Sequence, residues 1–152
     1  MENINYDFII SEIKEVCKIS KDKIDCITNM ANISAILNEH LKNINWVGFY
    51  IFYNNHLVLG PFQGKVACTN IALDKGVCGK SFFSNKTLNV PNVHAFSDHI
   101  ACDNNSLSEL VIPFHANFIE GVLDIDSFLL NNFSLEDQKN IEEIVKTISS
   151  IL

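Results

Sequence analysis

Three cysteines, a run of carboxylates and an aromatic stretch carry the chemistry this 152-residue sequence could perform. Cys68, Cys78 and Cys102 lie at or beside expected strand ends and loops, each with Gly or polar neighbours, where a thiolate could be exposed and its pKa lowered. The segment H-I-A-C-D-N-N-S-L-S-E-L (99–110) sets Cys102 next to Asp103 and just ahead of an apolar run. Cys17 and Cys26 fall inside helical apolar patterns and read as small buried hydrophobes. In the stretch F-I-E-G-V-L-D-I-D (118–126), Glu120, Val122, Asp124 and Asp126 share one strand face, because side chains two apart point the same way. Glu109 enters the neighbouring strand from the Cys102 loop, so acids can converge beside a thiol. Mutual repulsion raises the pKa of one carboxylate in such a group, which suits a ligand bearing an ammonium or a reaction that needs a donated proton. Trp46, Gly48, Tyr50 and Phe52 share a face of their own strand, with Gly48 leaving a gap between two rings; methyl-sulfur groups and cations suit such a surround.

Other chemistries fit less well. His94, His99 and Cys102 with Cys68 or Cys78 could bind zinc, but the close ligand pairs of structural zinc sites are missing, and no metal is expected. No serine elbow, phosphate-binding loop or dinucleotide fingerprint is present, and G-V-C-G-K-S matches none of their spacings.

Positioning these residues requires a particular arrangement of elements. Residues 5–19 place Tyr6, Ile9, Ile10, Ile13, Val16 and Cys17 on one helical stripe. A second helix over about 21–42 starts at Ser20 as N-cap and carries Ile24, Ile27, Met30, Ile33, Leu37 and Leu41. A third, over 134–152, opens on a Ser134–Asp137 capping box. Between them the period is two: 46–53 and 56–60 form a hairpin around Asn54-Asn55, and 110–114 with 118–126 form another. Residues 74–84 make a Gly-opened short helix and 91–108 a long loop. The result is one α+β domain, with a helical N-terminal segment (1–42), a mainly antiparallel central sheet with its loops (44–127) and a C-terminal helix.

Bulk properties narrow the partners. With 18 acidic against 11 basic side chains, a net charge of −7 gives no cationic footprint for nucleic acid or anionic lipid. No apolar run reaches the roughly 18–20 residues that span a bilayer, and M-E-N-I-N-Y-D-F lacks the basic-then-apolar pattern of a secretion signal. A cytoplasmic protein with no membrane partner is expected, and an odd cysteine count there favours reactive or buried thiols over permanent bridges.

The motifs N-W-V-G-F-Y (45–50), L-V-L-G-P-F-Q-G-K (57–65), A-C (67–68), K-G-V-C-G (75–79), V-P-N-V-H-A-F (90–96), H-I-A-C-D (99–103), S-x-S-E-L-V-I-P (106–113) and G-V-L-D-I-D-S (121–127) together resemble the free methionine-(R)-sulfoxide reductases, which are built on the GAF domain. The likeness runs from about residue 30 to the C-terminus, and a generic GAF sensor, the competing non-catalytic reading, has no reason to hold all three thiols. The resemblance implies a GAF-like fold and Cys102 as the nucleophile that becomes a sulfenic acid. Cys68 is implied as the thiol that condenses with it, and Cys78 as a third cysteine linked to recycling. It assigns Glu109, Asp124 and Asp126 to the substrate ammonium and to protonation of the departing oxygen, and Trp46 and Tyr50 to the pocket around the methyl group. It further implies thioredoxin as reductant, a role in oxidative stress, no cofactor and a homodimer. Ser97-Asp98 and Asn104-Asn105 depart from the family pattern.

Overall fold

The computed structural model describes residues 3–97 and 105–152. Helix α1 (Tyr6–Val16) starts where the Asn5 side chain accepts from the Phe8 amide, and α2 (Lys23–His40) where Asp22 accepts from Asp25. The α2 cap is thus Asp22 and not Ser20. The Ser20 amide instead donates to the Ile151 carbonyl at 2.8 Å, and its hydroxyl accepts from Asn29 at 3.0 Å, so Ser20 ties the α1–α2 connection to the C-terminal helix. Strands β1 (Ile44–Tyr53) and β2 (His56–Gly64) form the first hairpin. Its turn residues Asn54 and Asn55 both have positive φ, the left-handed pair that matches the twist of a tight hairpin and that asparagine tolerates.

A short β3 (Asn70–Ala72), α3 (Gly76–Ser84) and a short β4 (Leu88–Val90) follow, then β5 (Ser108–His115), β6 (Glu120–Ser127) and α4 (Leu135–Ile151). The expected capping box closes α4: the Ser134 amide donates to Asp137 and the Asp137 amide to the Ser134 hydroxyl. The six strands make one antiparallel sheet in the order β3-β2-β1-β6-β5-β4. The architecture is the α+β single domain expected from the pattern, with two three-residue edge strands that short segments could not announce.

Strand alternation divides the sheet into two faces. Val47 and Phe49 of β1, Leu110, Ile112 and Phe114 of β5 and Leu123 and Ile125 of β6 pack against Ile9, Ile13, Met30, Ile33, Leu37, Ile141, Ile144 and Ile148 of the helices α1, α2 and α4. The helical stripe on α2 is rotated from the expected one: Ile24 and Ile27 are exposed, while Cys26, Asn29 and Ser34 are buried. The reason is that Asn29 and Ser34 satisfy their polar atoms inside, on the Lys18 carbonyl and on the Met30 and Pro61 carbonyls. A count of apolar spacing alone misses such satisfied polar groups. Val16 of α1 is likewise exposed, whereas Cys17 and Cys26 are buried as expected.

The opposite face carries a second cluster, Trp46, Tyr50, Leu57, Ile71, Val77, Cys78, Val90, Val93, Val111 and Val122, covered by α3. Helix α3 sits against β3 so closely that a Cβ on Gly79 would lie 2.2 Å from the Ala72 carbonyl oxygen. That oxygen belongs to the sheet and cannot swing aside. Replacing Gly79 by Ala is therefore expected to push α3 off its seat and cost about 1–3 kcal/mol, the usual range for overpacking a tight site. Urea melts of Gly79→Ala that match the wild type would show the contact to be loose.

Candidate active site

The face under α3 gathers the carboxylates. Strand register sets Trp46 opposite Asp126 and Asp126 opposite Glu109; one step along, Gly48 faces Asp124 and Asp124 faces Val111; further on, Tyr50 faces Val122. The three central strands thus present Trp46, Tyr50, Glu109, Asp124 and Asp126 on one surface, as period two demands. Glu120 has the same parity but lies at the hairpin end, half-exposed and 2.7 Å from His115, so it does not join them.

The face is not solvent-washed. Glu109 and Asp124 are each only 6% exposed. Burial pushes the Glu109 carboxyl well up, and the charges of Asp124 and Asp126 push it further. Burial raises Asp124 as well, against hydrogen bonds to Cys78 and Glu109 that act the other way. No basic side chain pairs with either among the described residues, and buried Asp124 Oδ1 has no hydrogen-bond partner. Burial and mutual charge thus hold back ionisation on this face relative to exposed carboxylates, Glu109 most of all, with Asp124 raised to about 6.

The thiol beside the acids, among the described residues, is Cys78. It points from α3, is 4% exposed, and its Sγ donates to Glu109 Oε1 at 3.9 Å. This corrects the expectation of an exposed, activated thiolate at this position: burial raises the Cys78 pKa first, and the neighbouring Asp124 and Glu109 carboxylates raise it further. Cys68 is engaged in a disulfide, while Cys17, Cys26 and Cys78 are free thiols. Cys102, His99, Asp98 and Asn104 lie outside the described residues. The segments on either side of them are tied to the site, by Val93 N–H on the Leu107 carbonyl at 2.9 Å, Leu107 N–H on the Ser127 carbonyl at 2.7 Å and Asn45 on the Ser106 hydroxyl at 3.0 Å.

The aromatic pair has a second job that spacing did not reveal. The Trp46 indole N–H donates to the Lys65 carbonyl at 3.1 Å, and the Tyr50 hydroxyl donates to the Cys68 carbonyl at 2.9 Å. Both ends of the 65–68 segment are therefore pinned to the acidic face, with Cys68 at one of them. The expected gap above Gly48 is closed: a Cβ there would lie 2.3 Å from Phe62 Cβ, at the point where the β1–β2 register shifts. Phe62 stacks on Trp46 at 5.2 Å, and Trp46 and Tyr50 stack on each other at 5.9 Å. A glycine on a strand face here admits the neighbouring strand and not a ligand.

A metal could be held by Cys78, Glu109 and Asp124, whose ligand atoms lie within 4.8 Å of one another; no histidine joins such a group among the described residues. Among these residues no helix is long and apolar enough to cross a membrane.

No protein-family model matches the chain. Free methionine-R-sulfoxide reductase of Escherichia coli strain K12 is 45% identical over 127 residues, covering 83% of this chain and 77% of that protein. The fRMsr of Staphylococcus aureus in its reduced form superposes with a TM-score of 0.90 at 42% identity, over 97% of this chain and 95% of the other, and its complex with substrate with a TM-score of 0.88 at 41% identity, over 98% and 96%. A solved GAF domain, 34% identical, gives a TM-score of 0.86 over 99% of this chain and 91% of the other.

The raised carboxyls make stability depend on pH with a definite sign. A carboxyl whose pKa is higher folded than unfolded keeps its proton in the fold while the unfolded chain loses it. Stability then falls as pH rises from the ordinary carboxyl value toward the raised folded value, by about 1.4 kcal/mol per unit of displacement. Glu109→Gln removes that dependence for one group. As pH rises above the ordinary carboxyl value of about 4.5, the variant is expected to lose less stability than the wild type in urea melts; parallel curves would mean that the Glu109 pKa is not raised in the fold.

Proposed function

The chain belongs to the free methionine-R-sulfoxide reductase family, and on that basis we propose that it reduces free L-methionine-(R)-S-oxide to methionine through a cysteine nucleophile and an intramolecular disulfide. The observation that carries this reading is the buried carboxyl pair Glu109 and Asp124, without a basic partner among the described residues, on the sheet face to which the Cys68 segment is pinned. Such a face calls for a small cationic group. The substrate ammonium supplies one, with Asp126 beside it in register, and a peptide-bound sulfoxide does not.

In the proposed cycle the Cys102 sulfur attacks the sulfoxide sulfur and the oxygen atom passes from one sulfur to the other. The substrate S–O bond breaks and the thioether is released, while Cys102 is oxidised to a sulfenic acid. Sulfoxide oxygen departs poorly unless protonated, and in this reading a carboxyl whose ionisation burial disfavours, above all Glu109, gives it that proton. The Cys68 thiol then attacks the sulfenic sulfur; an S–S bond forms and the hydroxyl leaves with a proton as water. Thioredoxin's dithiol supplies the two electrons that reopen the bridge. The oxidised state of Cys68 supports its role as the condensing thiol, and the buried, high-pKa Cys78 speaks against that thiol as a nucleophile. Trp46 and Tyr50 wall the methyl side of the substrate in this reading. A cytoplasmic homodimer acting against oxidative stress belongs to the same reading, with the apolar Phe8, Val16, Ile24 and Ile27 of the first two helices and Ile19 of the connection between them, all exposed, as the face it would cover.

Incubating the reduced protein with racemic free methionine sulfoxide is expected to consume one sulfur epimer and leave the other, with peptide-bound sulfoxide untouched. Loss of neither epimer would favour a non-catalytic GAF module that senses a small ligand or redox state; equal rates on free and peptide-bound forms would refute the role of the ammonium. Cys102→Ser is expected to abolish turnover. Cys68→Ser should release close to one equivalent of methionine and then stall with thioredoxin present, and full multiple turnover in that variant would reassign the condensing thiol.

A further inference from the structure

Cys78 has no step in the proposed cycle, yet it is buried against the two carboxyls. Its Sγ lies 3.9 Å from Glu109 Oε1, and one donor atom from each of Cys78, Glu109 and Asp124 falls within 4.8 Å of the other two. The three come from three elements, α3, β5 and β6, so no single flexible loop holds them. Asp124 adds a buried oxygen, Oδ1, that makes no hydrogen bond, and a carboxylate oxygen left without a partner in the interior marks a place where a cation is wanted. A thiolate with two carboxylates is a mixed sulfur and oxygen set that suits a borderline divalent ion and not magnesium or calcium, which prefer oxygen alone.

We propose that Cys78, Glu109 and Asp124 form a binding site for a divalent metal ion of the zinc class, and that the ion and the substrate ammonium exclude one another there. The exclusion rests on the function proposed above; the binding does not. Zinc bonds of about 2.3 Å to sulfur and about 2.0 Å to oxygen set sulfur and oxygen about 3.5 Å apart in a tetrahedral site, a few tenths of an ångström inside the Cys78–Glu109 separation. On binding, the Cys78 S–H bond breaks and a metal–sulfur bond forms. The thiol proton and those held by the carboxyls pass to solvent, and no electron is transferred. The ion takes up the negative charge that the face otherwise holds down by protonation, and it leaves a coordination position open for water.

The oxidised full-length protein, with Cys68 in its disulfide, is titrated with Co2+ as an optical stand-in for Zn2+. A stoichiometric thiolate-to-cobalt charge-transfer band in the near ultraviolet, bleached by added Zn2+, is expected. Cys78→Ala and Asp124→Asn should lose it, and Cys17→Ala and Cys26→Ala should keep it, all four being checked for native circular dichroism. Saturating free methionine should weaken Co2+ binding by about tenfold or more. Absence of the band, or its survival in folded Cys78→Ala, overturns the site; an unchanged affinity with methionine overturns the exclusion. A wild-type protein that reduces the free sulfoxide but shows no band leaves the function standing without the metal site, and one that shows the band but never turns over does the reverse.

Discussion

The protein's organisation depends on holding carboxyls together in its interior with no base to neutralise them among the described residues. Glu109 and Asp124 are buried on facing strands, and the Cys78 thiol closes over them from α3. Each of these groups would be more comfortable in water, and each raises the cost of ionising the others. They stay together because the antiparallel register of β1, β6 and β5 leaves their side chains no other direction, and because close packing of α3 through Gly79 prevents the lid from lifting. The result is a surface on which burial and mutual charge hold back ionisation.

The stability to hold such a face comes from the other side of the same sheet. There the strands contribute Val, Ile, Leu and Phe side chains to a core shared with α1, α2 and α4, with Ile9, Ile13, Met30 and Leu37 wholly removed from solvent. Apolar burial of this kind is worth about 25 cal/mol per Å2, enough to offset strained or protonated groups elsewhere in a small domain. Alternation along three strands is therefore what lets one sheet be both a foundation and a reactive surface. The aromatic residues bridge the two roles: Trp46 and Tyr50 pack as core while their polar tips fix the Lys65 and Cys68 carbonyls.

Much of this is legible in the residues. Alternation in G-V-L-D-I-D places Asp124 and Asp126 on one face, the Asn54-Asn55 pair marks its hairpin, and Ser134 with Asp137 marks the start of α4. The failures have physical causes. Ile24 and Ile27 continue an apolar spacing but lie outside the core, because buried Asn29 and Ser34 find backbone carbonyls within it. Ser20 has the right type for a cap, but its hydroxyl is taken by Asn29 and the helix begins two residues later. Cys78 sits between glycines that suggest openness, yet Gly79 serves close packing and Gly76 a positive-φ turn into the helix, and the thiol is sealed. Gly48 reads as a slot, but only the fold shows that Phe62 fills it. In each case the missing information is which distant segment comes to lie against the residue, and local spacing does not contain it.

The clamp on the 65–68 segment has an optical consequence. Trp46 is the chain's single tryptophan, it is stacked and shielded, and its indole nitrogen reaches a carbonyl three residues before Cys68. A disulfide quenches a nearby excited indole by accepting an electron from it, more readily than a free thiol does. The emission of one native fluorophore thereby becomes a built-in gauge of whether the neighbouring sulfur is bonded or free, readable in real time without a dye.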